Sequence, residues 1–268
     1  MWPGARSSRG TPSREAASVD ARDRAGGARV GYDGWVTAHT RAKDDSDGGW
    51  RDPVRAAAVV FDFDGTLVDT EMLQFEAWRE ILGHQGAAFE IADWRHAVGK
   101  APDAFDPVSH VERRDHRRLD EAAVRRDLTP ALEGRFAAGA LRPGVRGWID
   151  DARRRGLALA VASNSSAYWV HSWLERLGIE QLFAAVASGD EALRPKPAPD
   201  LYRLAVERLG VPPAAAWAVE DSPLGCQAAL AAGLRCVAVP NDFTRPLAFP
   251  AGARLSNGFG PPPWAEPV

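Results

Sequence analysis

From Ala57 to Phe61 the chain is apolar without a break, and the run then ends in Asp62-Phe63-Asp64-Gly65, two carboxylates and a glycine. A short apolar run with β-branched residues suits a central strand of a parallel sheet, buried on both faces. Similar runs recur downstream. Leu157–Ala162 closes on Ser163, a short one spans Phe183–Ser188, Ala216–Val219 closes on Glu220-Asp221, and Arg235–Val239 precedes Pro240. Between them Ser166–Leu177, Pro199–Leu209 and Leu224–Ala232 carry helical spacing, as does Gly144–Gly156 just after Pro143. Strand and helix alternate, which predicts an α/β fold: a doubly wound, Rossmann-like parallel sheet with right-handed crossovers.

One stretch interrupts that alternation. After the first strand, Leu73, Ala77, Trp78, Ile81 and Leu82 recur at helical spacing, and the chain to Ala140 stays charged and strand-poor. The pattern predicts a helical insert over 72–140, within an α/β core made of 55–71 and 141–257. Residues 1–54 are rich in Arg, Asp, Gly and Ser and have no sustained period, so they are expected to be disordered despite Trp2, Trp35 and Trp50. The Pro/Gly-rich end, 258–268, is expected to be a loose tail. No internal repeat is present.

Composition narrows the classes. The 268 residues are 45% hydrophobic with a net charge of -3, enough for an ordinary core and no basis for broad attraction to nucleic acid or anionic membranes. Cys226 and Cys236 are too few for a disulfide framework and lack metal-ligand spacing, which fits a reducing cytoplasm. No run reaches the ~20 apolar residues of a membrane span, and no signal-peptide core opens the chain. A monomer is compatible with this pattern.

The candidate chemistry sits at the strand ends, where ligands gather in such sheets. Asp62 and Asp64 alternate to the same side of an extended strand. They could simply start a turn at Gly65, but two partly buried carboxylates without a neutralising partner are costly. A divalent cation held by Asp62, the Asp64 main-chain carbonyl and a later acid would supply that partner. Ser163-Asn164-Ser165 stands before a predicted helix, where a hydroxyl and main-chain N–H groups can cap the helix or bind an anion. Lys196 lies between Pro195 and Pro197, whose fixed φ angles stiffen its presentation. The adjacent acids Glu220 and Asp221 suit a cation, and an oxygen-only ligand set points to Mg²⁺ over zinc. Cys226, Trp169 and Trp173 fall on predicted helices and are read as packing residues.

These motifs resemble, in order, those of the haloacid dehalogenase-like hydrolases over about residues 55 to 240: the DxDGT of Asp62–Thr66, then Ser163, Lys196 and Glu220-Asp221. The resemblance implies that Asp62 attacks phosphorus, Asp64 carries the proton, Ser163, Asn164 and Lys196 bind the phosphoryl group, and Asp62, Asp64, Asp221 and Glu220 serve Mg²⁺. It also implies that the insert is a cap over the site and that the substrate is a small phosphorylated metabolite. The β-phosphoglucomutase-like branch is the most similar, with departures: Gln74 and Pro102 stand where the mutases place a histidine and a distal-phosphate arginine, and Arg194-Pro195 replace a common glycine. A Mg²⁺-dependent sugar-phosphate phosphatase is therefore expected ahead of a mutase, and ahead of an inactive binding module, which would not need the intact acids. His84, His96, Lys100, His110 and Arg113 are candidate substrate contacts on the insert.

Overall fold

The computed structural model describes residues 55–95 and 105–265. Residues 1–54, His96, Gly99, Lys100 and Pro102 lie outside them. Six strands, β1 (Ala58–Phe61), β2 (Ala158–Ala162), β3 (Ala185–Ala187), β4 (Ala216–Glu220), β5 (Arg235–Ala238) and β6 (Ala253–Leu255), form one sheet in the order β3-β2-β1-β4-β5-β6. Every pairing is parallel, and β1 lies between β2 and β4. The helices are α1 (Thr70–His84), α2 (Ile91–Trp94), α3 (Pro107–Asp115), α4 (Glu121–Ala138), α5 (Val145–Arg154), α6 (Ala167–Arg176), α7 (Asp200–Leu209) and α8 (Pro223–Ala231).

The alternation of side chains along the strands divides the core into two layers. Val59 and Phe61 of β1, with Leu159, Val161 and Val219, face the large residues Trp148, Ile149, Val170 and Trp173 of α5 and α6. Ala58 and Val60 face the other way, among the small residues Ala160, Ala162, Ala216 and Ala218, so α7 and α8 lie close with Leu201, Tyr202, Val206 and Cys226. Both faces are covered, which is why the strands read as unbroken apolar runs.

Helices α1 to α4 intervene between β1 and β2. Asp69 caps α1 by accepting from the Met72 N–H at 3.3 Å, and α1 packs along α4. This segment has its own cluster, Phe75, Leu82, Phe89, Trp94, Val111 and Val124, and one member comes from the far end of the chain. Phe243, fully buried in the loop after β5, meets the Phe75 ring at 5.6 Å.

Two expectations are corrected. Strand β6 was not anticipated, because its three residues are largely exposed and sit among Pro and Gly. The end of the chain is not loose through Ala265. Phe259 and Trp264 pack on Trp148 at 4.9 and 5.1 Å, and the Trp264 indole donates to Asp151 at 3.1 Å, because the apolar face of α5 needs a cover. Among the described residues, no helix is long and apolar enough to cross a membrane.

Candidate active site

The parallel register brings the carboxyl ends of β1, β2 and β4 together, so the residues just past them meet. The Asp62 N–H donates to the Val219 carbonyl at 2.9 Å, which extends the β1–β4 ladder one residue into the site. Gly65 then turns the chain with φ +85°, and a Cβ there would stand 2.6 Å from an Asp221 oxygen. A glycine is required on both counts.

Lys196 joins two of the acids. Its ammonium lies 2.6 Å from Asp62 Oδ1 and 2.6 Å from Glu220 Oε1, and all three residues are buried. The loop that delivers it is held by Asn164, whose Oδ1 accepts the Lys196 N–H at 2.8 Å, and a cis peptide links Lys196 to Pro197. Glu220 has both oxygens engaged. Oε1 also accepts from the Tyr202 hydroxyl at 2.8 Å, and Oε2 accepts from the Asp221 and Ser222 N–H groups at 3.2 and 3.3 Å and from the Ser222 hydroxyl at 3.1 Å. Asp221 accepts from Thr66 at 3.2 Å and from Asn241 Nδ2 at 2.9 Å.

Asp64 is anchored separately. Its Oδ1 accepts from the Thr70 hydroxyl at 2.7 Å and the Trp169 indole N–H at 3.0 Å, and its Oδ2 from Ser165 at 2.5 Å and Ser163 at 3.4 Å. Trp169 therefore does more than pack, contrary to the expectation from its helical spacing. Ser163 is not the helix cap either: Ser166 caps α6, and the Ser163 hydroxyl accepts from the Ser165 N–H at 3.0 Å. Of the insert candidates, His110 is paired with Asp93 at 2.8 Å.

The electrostatics call for another positive charge. Burial first, and then the charge of Glu220, push the Asp62 carboxyl up to about 7 against the pull of Lys196. Burial, with Glu71 and Asp62 adding to it, raises Asp221 well above the ordinary carboxylate range. Burial opposes the charge on Lys196, but Asp62 and Glu220 more than offset it and its pKa rises. Asp62, Glu220 and Asp221 offer oxygens within 4.8 Å of one another, and Asp62 Oδ2 is buried with no hydrogen-bond partner. These acids form a buried cluster that could hold a metal ion, and the oxygen-only set with the orphaned Asp62 Oδ2 fits a hard divalent cation such as Mg²⁺.

The same residues carry a family pattern: that of the haloacid dehalogenase-like hydrolases matches residues 56–233. The chain belongs to that family. Among its haloacid dehalogenase-like relatives, Protein CbbY of Cereibacter sphaeroides is 35% identical over 212 residues, 75% of this chain and 92% of that protein. Fructose-1-phosphate phosphatase YqaB of Escherichia coli (strain K12) is 34% identical over 191 residues, 69% of this chain and 97% of that protein. A crystal structure of a CbbY mutant from Rhodobacter sphaeroides in complex with xylulose-(1,5)bisphosphate superposes with a TM-score of 0.58 at 34% identity, covering 76% of this chain and 95% of that one.

Tyr202, Thr70 and Asn241, which the sequence did not single out, and Ser165 and Trp169, for which it showed no such contact, touch the carboxylates of the site. Tyr202 and Trp169 sit at apolar helical positions, where sequence shows the ring and not what its polar tip touches.

Proposed function

We propose that this protein is a Mg²⁺-dependent phosphatase of small phosphorylated sugars that works through a phosphoaspartyl intermediate on Asp62. One observation carries the reading: Lys196 holds Asp62 Oδ1 at 2.6 Å while Asp62 Oδ2 has no hydrogen-bond partner. The carboxylate thus has one oxygen fixed by a cation that also suits a phosphoryl group, and one open to a metal. The sugar-phosphate class is supported by the named substrate of the fructose-1-phosphate phosphatase relative and by the bisphosphate bound in the CbbY mutant.

Asp62, Asp221 and the Asp64 main-chain carbonyl would hold Mg²⁺, which neutralises charge so that an anionic carboxylate can approach an anionic phosphate. Glu220, with both oxygens already bonded, acts instead as the counter-charge that fixes Lys196. Asp62 attacks phosphorus in line; Asp64 protonates the departing alkoxide and then takes a proton from the water that hydrolyses the phosphoaspartate. Lys196, Ser163 and main-chain N–H groups beside Asn164 receive the phosphoryl oxygens. The helical insert, in this reading, is the cap that selects the substrate.

The test is phosphate release from fructose 1-phosphate, xylulose 1,5-bisphosphate, β-glucose 1-phosphate and p-nitrophenyl phosphate, each with Mg²⁺ and with EDTA. Release that needs Mg²⁺ from at least one sugar phosphate is expected. Inertness toward all four, or indifference to EDTA, refutes the reading. Glucose 6-phosphate formed from β-glucose 1-phosphate under glucose 1,6-bisphosphate priming, faster than phosphate release, would make the protein a mutase.

A further inference from the structure

The amino ends of the strands, opposite the catalytic end, frame a pocket of about 260 Å³. Ala56, just ahead of β1, and Trp217 and Arg235, at the starts of β4 and β5, line it together with Arg55, Arg155 and Trp264. Three guanidinium groups thus share one concave surface, and among the described residues no carboxylate lines it. Asp151 braces two of the walls, accepting from the Arg155 Nε–H at 2.7 Å and from the Trp264 indole at 3.1 Å. Its one negative charge leaves an excess of at least two positive charges.

Arg235 is the anomaly there. Its Nε and Nη2, like Trp217 Nε1, are buried and meet no hydrogen-bond acceptor among the described residues. Buried donors are nearly always paired, and a charged one left without an acceptor is the costliest kind. Burial lowers the Arg235 pKa, and no described carboxylate counters it. The guanidinium carbon lies 4.9 Å from the centroid of the Trp217 ring, a cation–π contact that steadies the group without supplying an acceptor. With no hydrogen bond to break, the fork can turn to an acceptor that enters the pocket, and its geometry matches the paired oxygens of a carboxylate or phosphoryl group. The volume, room for about eight waters, admits a small metabolite. We propose that this pocket binds a small multivalent oxyanion, a phosphorylated or polycarboxylate metabolite, at a site separate from the catalytic one. From Ala56 to Asp62 the chain runs about 20 Å along β1, so one small anion does not reach both.

Isothermal titration calorimetry of the full chain in EDTA, with pyrophosphate and with citrate at constant ionic strength, tests the site. Without Mg²⁺ the acids clustered around Asp62 repel anions, which leaves the arginine pocket as the favoured place. Saturable binding of one equivalent of at least one probe is expected, and the probe that binds identifies the source of the oxyanion. Arg235→Gln is expected to weaken it by about tenfold or more, the loss of a charge-assisted fork. Arg55→Gln removes an exposed charge and is expected to weaken it about two- to fivefold. Lys196→Met, which takes the cation out of the catalytic site, is expected to leave the affinity within about twofold. No binding tighter than about 1 mM, wild-type affinity in both arginine variants, or loss of binding in Lys196→Met overturns the proposal. Should the urea midpoint show that Arg235→Gln is unfolded, Arg55→Gln decides alone, and unchanged affinity there overturns it.

Discussion

Replacing Lys196 with Met removes the single positive charge that lies 2.6 Å from both Asp62 and Glu220 and leaves two buried carboxylates facing each other. The methylene packing is kept, so the change isolates the charge. Breaking a buried ion pair on one side typically costs about 3–5 kcal/mol, a large share of the 5–15 kcal/mol that holds a domain together. The cost depends on pH in a definite direction. In the wild type, Asp62 titrates at about 7 when folded and near 3.9 when unfolded. Its raised pKa therefore contributes stability that is present at low pH and is lost as pH rises to about 7, above which both states are ionised and the slope vanishes. Without Lys196 the folded pKa climbs further, and the variant keeps losing about 1.4 kcal/mol per pH unit above 7 for each bound proton. Urea unfolding in EDTA, followed by tryptophan fluorescence at pH 6, 7 and 8, is expected to show the gap between variant and wild type widening by about 1 kcal/mol from pH 7 to 8. A gap below about 1 kcal/mol at pH 8, or one that does not change with pH, would refute the coupling of these three side chains.

Gly225→Ala places a methyl well inside van der Waals distance of Oε1 of the Glu220 carboxylate, which is fully buried and hydrogen-bonded on both oxygens. Overpacking of about 1–3 kcal/mol should outweigh the gain of up to about 1 kcal/mol from replacing a helical glycine. A lower urea midpoint together with reduced turnover is expected, and a stabilised, fully active variant would contradict the contact. Asp62→Asn should abolish phosphate release while leaving the thermal midpoint within a few degrees or raising it, because a buried charge disappears without a change of shape; measurable turnover rules out Asp62 as nucleophile. Asp64→Asn should lower turnover of the sugar phosphate by on the order of 10² to 10⁴, and a loss under about tenfold assigns the proton to another group.

The central strands were legible because burial on both faces leaves an unbroken apolar run, and β4 spans the apolar run Ala216–Val219 together with Glu220, the acid that closes it. Strand β6 carries no such signal, since it is an edge of three residues held by backbone pairing to β5 alone. At the site, Asp62, Asp64, Ser163, Lys196, Glu220 and Asp221 announce themselves as polar residues that end apolar runs or stand between prolines. Tyr202 and Asn241 do not. The hydroxyl of Tyr202 reaches Glu220 from an otherwise apolar helix face, and Asn241 reaches Asp221 from a loop with no periodicity, so each is defined by a tertiary neighbour. The roles of Asn164 and Glu220 were similarly hidden, because sequence cannot show that the first holds the Lys196 backbone and that the second has both oxygens bonded.

Phe243 gives the chain an unusual dependency. It fills the hydrophobic cluster of the helical insert, while Asn241, two residues earlier in the same loop, donates to Asp221. The insert is thus not a detachable module: grafting 70–138 onto a related sheet, or receiving a foreign insert here, would leave an aromatic ring without its socket or a socket without its ring. Chimaeras that exchange these helices with a relative's would have to carry the 241–244 loop along with them, because that one loop serves both the insert's cluster and the carboxylate that follows β4.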